Sequence, residues 1–94
     1  MANVYILYSN SRDKYYIGSC KDFEKRLQEH IDGKYANSYT AHIHDWQPFL
    51  IIPNLKYLQA RAIEKHIKRM KSRRYLHNIK NYPEIIEKIK RQYQ

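Results

Sequence analysis

Glycine is nearly missing from this chain, with two copies in 94 residues, and proline occurs three times. Long linkers and low-complexity segments draw on those residues, so the chain is expected to fold along most of its length. A single cysteine, Cys20, excludes an intramolecular disulfide. Small secreted domains generally need such cross-links, so a reducing cytoplasm is the expected compartment. No apolar run approaches the roughly 18–20 residues of a membrane span, and the N-terminus lacks the basic-then-apolar layout of a signal peptide. A chain of 94 residues can bury one modest core. A single domain over 1–94 is therefore expected, with its body at about 3–81 and a terminal helix over 82–94.

Acid is scarce in one part only. Residues 1–55 carry six Lys/Arg and six Asp/Glu, whereas residues 56–94 carry twelve Lys/Arg against Glu64, Glu84 and Glu87, so the whole +9 excess lies there. One-sided basicity is the electrostatic footprint of a polyanion, most often nucleic acid. A merely well-solvated surface is the plainer alternative.

Val4 to Tyr8 is a run of β-branched and aromatic residues, Asn10 to Asp13 a turn cluster, and Tyr15-Tyr16-Ile17 resumes strand character. Residues 4–18 therefore read as a hairpin, with Tyr5 and Leu7 on one face and Val4 and Ile6 on the other. Gly18 closes the second strand, where a missing side chain admits a close neighbour. Asp22 suits an N-cap, and Phe23, Leu27 and Ile31 follow as a helical stripe flanked by Arg26 and His30, one turn apart. Residues 32–47 read as a loop carrying Lys34, His42 and His44, with Trp46 as an anchor.

Phe49 to Ile52, bracketed by Pro48 and Pro53, is short and continuously apolar, the pattern of a central strand buried on both faces. Ala60, Ile63, Ile67 and Met70 predict a helix over 57–72 with Glu64 on the shoulder of its apolar face. Pro83 fits the first turn of a last helix packed through Ile85, Ile86 and Ile89. The predicted class is α+β, a small three-stranded sheet flanked by helices in the order β-β-α-β-α-α.

Glu64 stands out chemically. Eight Lys/Arg lie between Arg61 and Lys80, with Glu64 the single acid among them. An exposed ion pair with Lys68 would explain it and would contribute little. On the shoulder facing the sheet, the carboxylate could instead hold a magnesium ion whose other ligands are water and phosphate. Arg26 could grip two phosphate oxygens, with His30 bonding the phosphate or relaying a proton. Ten tyrosines are present. Tyr8, Tyr15, Tyr57 and Tyr82 read as ordinary amphipathic residues. Tyr5 and Tyr16, on adjacent strands, could bring two hydroxyls to one spot and orient or deprotonate a water.

In order and spacing, Asn3-Val4-Tyr5, Tyr16-Ile17-Gly18, Arg26, His30 and Glu64 resemble the GIY-YIG nuclease family, over about residues 3–81. The first triplet is degenerate, with Asn3 in place of glycine and Val4 in place of isoleucine; the second is intact. The resemblance is to compact, free-standing members. It implies that Tyr5 is the general base or base relay, Tyr16 the second site tyrosine, Arg26 the arginine on the scissile phosphate and His30 the histidine one turn on. It further implies that Glu64 holds one divalent metal, magnesium or manganese. A late asparagine near the site is expected at Asn78, ahead of Asn81. Lys14 and Lys21 flank the second strand and are candidates for phosphate contact, as they are for a solvated surface.

The expected reaction is metal-dependent hydrolysis of DNA by an activated water. The basic segment from Arg61 through Lys68, Lys71, Arg73 and Arg74 supplies salt-sensitive backbone affinity. Recognition of shape or single strands, through stacking on exposed tyrosines, is the expected mode. A monomer is the default, with a dimer the alternative for double-strand cutting. Zinc is not expected, because His42 and His44 form one close pair without a second and Cys20 is isolated, and nothing local activates that thiol. The competing readings are a catalytically silent nucleic-acid-binding module, a protein-interaction domain using the basic helix, and direct attack by Tyr5 to form a phosphotyrosyl intermediate.

Overall fold

The computed structural model describes residues 1–33 and 42–94. Lys34 and the middle of the proposed loop lie outside the described residues. Three strands, β1 (Ala2–Ser9), β2 (Lys14–Cys20) and β3 (Trp46–Leu55), form an antiparallel sheet in the order β2-β1-β3. Four helices follow the chain as α1 (Phe23–Ile31), α2 (Tyr57–Met70), α3 (Arg73–Asn81) and α4 (Pro83–Gln92). The class is α+β as expected, in the order β-β-α-β-α-α-α.

Alternation along β1 divides the molecule into two packed layers. Val4 and Ile6 face α2, α3 and α4 in a core with Ile52, Leu55, Ala60, Ile63, Ile67, Leu76, Ile79 and Ile89. Tyr5 and Leu7 face the opposite way, with Cys20, Ile43 and Trp46, under Phe23, Leu27 and Ile31 of α1. Asp22 caps α1, its carboxylate accepting from Lys25 N at 3.2 Å. A buried Ile side chain contributes about 1.5–3 kcal/mol, so the first layer, with six isoleucines, holds most of the stability.

Two expectations are corrected. The apolar run at Phe49–Ile52 belongs to an edge strand, and β1 is the central one. An edge tolerates Pro48 and Pro53, which lack the N–H an inner strand needs on both sides. The second correction is α3, an additional helix. The chain leaves α2 at Lys71, which adopts the left-handed conformation (φ 48, ψ 42), and Ser72 caps the next helix by accepting from Tyr75 N at 3.1 Å. Arg73 then locks α3 to the β1–β2 turn through Asp13, whose carboxylate also accepts from the Tyr8 hydroxyl.

The last helix is fastened through His66 on α2. Its two ring nitrogens meet the Tyr93 and Tyr75 hydroxyls at 2.8 and 3.0 Å. Gln59 adds a bond from its amide to the Lys90 carbonyl. Ile63, 0% exposed, sits at the centre of this layer. Ile63→Ala is expected to lower the unfolding free energy by about 2–5 kcal/mol in urea melts. Ile51→Ala, on the edge strand and 38% exposed, should lower it by at most about 1 kcal/mol.

Candidate active site

In the hairpin register Tyr5 lies opposite Gly18, and Leu7 opposite Tyr16. Tyr5 and Tyr16 are thus diagonal neighbours on the face under α1. Their rings are nearly parallel, 19° apart with centroids at 6.3 Å. His30, buried on the last turn of α1, comes down onto both, its ring 4.5 Å from that of Tyr16. Its Nε2 is 2.9 Å from the Tyr5 hydroxyl. Tyr5 itself is only 1% exposed.

Burial pushes the Tyr5 phenol well above its ordinary pKa, and neighbouring Tyr16 adds to that; the Arg26 guanidinium faces the same hydroxyl and pulls the other way. Burial, followed by the charge of Arg26, pushes the His30 imidazole below its ordinary value, against Glu29. At neutral pH the pair is therefore a neutral phenol hydrogen-bonded to a neutral imidazole.

Glu64 approaches β2 from the other layer. Ser19, which points to the opposite face from Gly18, donates to Glu64 Oε1 at 2.6 Å, and Lys68 Nζ donates to Oε2 at 2.7 Å. The ion pair with Lys68 is real, yet it accounts for one of the two oxygens. The halves of the site meet around the outer edge of β2. Arg26 from α1 and Arg61 from α2 line one pocket of about 260 Å³ with Ser19, Cys20 and Lys21. Strand β2 can join two faces in this way because, among the described residues, no strand pairs with its far side.

Of the other expected phosphate-binding residues, Lys21 and Arg61 are in that pocket and Lys68 is on Glu64. Lys71 is the exposed helix stop, Arg74 is exposed on the first turn of α3, and Lys14 lies at the far end of β2. Arg73 is engaged with Asp13 and stacks over Tyr15, a clamp between α3 and the hairpin. Asn78 is half-buried on α3 and Asn81 ends that helix. Among the described residues, no hydrogen bond links either side chain to Tyr5, Tyr16, Arg26 or Glu64. Ser19 is the residue that sequence reasoning missed. Alternation from Gly18 puts it on the face of its partner Val4, where the helix carrying Glu64 packs.

The donors suit one kind of metal. No three His, Cys, Asp or Glu side chains cluster among the described residues, whereas Glu64 offers one hard carboxylate beside a cation-lined pocket. Magnesium or manganese anchored by a single carboxylate, with water and phosphate oxygens completing the shell, fits that set. Lys68 would have to yield Oε2 to it.

Gly18 fixes the position of Tyr5. A Cβ at residue 18 would stand 2.5 Å from the Tyr5 hydroxyl oxygen and 2.6 Å from Cζ. The ring cannot retreat, being packed against Tyr16, Phe23 and His30. Gly18→Ala is expected to destabilise the fold by about 1–3 kcal/mol through overpacking, measured by urea denaturation.

The sequence profile of the GIY-YIG catalytic domain matches residues 1–78, through most of α3. No curated protein and no solved structure gives a significant match. The chain belongs to the GIY-YIG family of nucleases.

Proposed function

We propose that the chain is a divalent-metal-dependent endonuclease that hydrolyses phosphodiester bonds in DNA with an activated water. The observation that carries this reading is the position of Arg26. It faces the Tyr5–His30 pair and also lines the pocket where Ser19 ties β2 to Glu64. On this reading Tyr5 and His30 are the base relay, Arg26 the phosphate grip and Glu64 the metal-binding carboxylate, along one strand edge.

Because Tyr5 is held as a phenol, it acts as a relay. Its oxygen takes a proton from the attacking water while its own proton passes to His30 Nε2, 2.9 Å away. The hydroxide forms the new P–O bond, the bond to the leaving oxygen breaks, and that oxygen takes its proton from solvent. Arg26 holds two non-bridging oxygens and carries part of the charge that accumulates on them. Tyr16, stacked on Tyr5 and against His30, keeps both rings in line. Glu64 would hold a divalent ion, which when bound would supply further Lewis-acid stabilisation to the phosphate. Direct attack by Tyr5 is disfavoured by the same burial, which opposes the phenolate that a nucleophilic tyrosine would have to become.

Labelled single-stranded, duplex and branched DNA incubated with magnesium or manganese tests the reading. Tyr5→Phe is expected to slow cleavage by about 10²–10⁴-fold, and Glu64→Gln to abolish the cleavage that added metal supports. DNA covalently attached to Tyr5 in denatured mixtures would overturn the water route, and no cutting by wild type would favour a silent binding module.

The relay also sets a pH dependence. His30, facing Tyr5, Tyr16, Arg26 and Glu29, must be neutral to accept the proton. Its lowered pKa means that the rate should hold through the ordinary histidine range and fall only at more acid pH. The raised pKa of Tyr5 adds no loss on the alkaline side up to about pH 10. An acid limb that survives unchanged in His30→Gln would exclude the relay.

A further inference from the structure

Two cavities share a wall at the start of α2. The first is the pocket of Lys21, Arg26 and Arg61, whose lining holds three cations and no acid. The second, about 400 Å³, lies among Lys56, Tyr57, Leu58, Gln59, Tyr93 and Gln94. Arg61 belongs to the first alone, whereas Tyr57 borders both. Arg61 steadies the Tyr57 ring, donating from Nη1 to the hydroxyl at 3.1 Å with its guanidinium 5.9 Å from the ring centre.

We infer that the two cavities form one nucleotide subsite for single-stranded DNA, with a backbone phosphate among the three cations and the unpaired base against Tyr57 and Leu58. The inference rests on the reading of the chain as a DNA nuclease and names the form of DNA it takes. A cationic pocket beside one that offers the Tyr57 and Tyr93 rings and Leu58 with amide side chains, the two sharing Tyr57, matches the phosphate and base of a nucleotide. Tyr57 is 55% exposed and Leu58 78% exposed, an apolar surface that a stacked base would cover.

The subsite is also built in advance. Gln59 bridges the Lys56 N–H and the Lys90 carbonyl, and His66 holds Tyr93, so the second cavity is fixed by α4 and the chain end. Of these, Lys90 and Tyr93 lie beyond residues 1–78, the segment that the family profile matches. A base within a duplex cannot enter without leaving its stack, at a cost of a few kcal/mol, so the subsite selects nucleotides that are already unpaired.

Fluorescence anisotropy of a labelled short single strand and of the same sequence as a duplex, in buffer with chelator to prevent cutting, tests this on the full chain. Tyr57→Ala is expected to weaken the single strand by about 10-fold or more while leaving the duplex unchanged. Tyr57→Phe should keep wild-type affinity, because the ring face does the stacking. Lys21→Gln should weaken both forms, as a phosphate contact does. No loss in Tyr57→Ala, or equal loss on both DNAs, overturns the subsite. If wild type cuts no DNA yet Tyr57→Ala still loses single strands selectively, the nuclease reading fails and the subsite stands. If cutting persists and strand preference does not depend on Tyr57, the reverse holds.

Discussion

The absent Cβ at Gly18 lets the Tyr5 ring lie flat across the neighbouring strand, and much of the molecule is arranged around that contact. With the ring there, its hydroxyl reaches the edge of the sheet, Tyr16 stacks beside it, and His30 can descend from α1 onto both. Any other residue at 18 would lift Tyr5 into the space of Phe23 and separate the phenol from the imidazole. The family's tyrosine and glycine thus sit opposite one another in the ladder, and each has its role because of the other.

The second organising element is the outer edge of β2. One layer contributes aromatic rings and Arg26, the other contributes Glu64 and Arg61, and only an unpaired strand edge allows them to meet. Excess positive charge is carried on the helices of the second layer, and Glu64 survives among those cations because Ser19 and Lys68 each satisfy one of its oxygens. The degenerate position Asn3 is accommodated at the same place. It lies in β1 between Ala2 and Val4, where the pairing with β3 shifts register, and its amide donates to the Lys21 carbonyl at 3.3 Å, tying the two ends of the hairpin together where glycine would leave them untied.

Much of this was legible in the sequence because it depends on local periodicity. The two faces of β1, the Asp22 cap and the shoulder position of Glu64 follow from spacings of two and of about four. The features that were not legible depend on neighbours distant in sequence. Phe49 to Ile52 looks the same whether a strand is central or at an edge, since continuous apolarity does not say how many strands lie alongside. Helix α3 offers Leu76 and Ile79 as its buried positions among cations and polar residues, too few for a periodic signal, and it is fixed by its Ser72 cap and by Arg73 on Asp13. Tyr57 read as one tyrosine among ten because its importance comes from two cavities that only the fold creates.

The edges of the sheet bear on how copies of the molecule meet. Strand β3 turns outward a ladder in which two of ten residues are prolines that cannot donate, and it runs through the left-handed Asn54 before ending at Leu55. The free side of β2 is lined at one end by Arg26 and Arg61 and guarded at the other by Arg73. A second copy, itself carrying +9, meets a broken template on one side and like charge on the other. Edge-to-edge growth of the sheet, the usual hazard for a small three-stranded protein, is thus blocked on both flanks, and the cations responsible on the β2 side include two that line the active-site pocket.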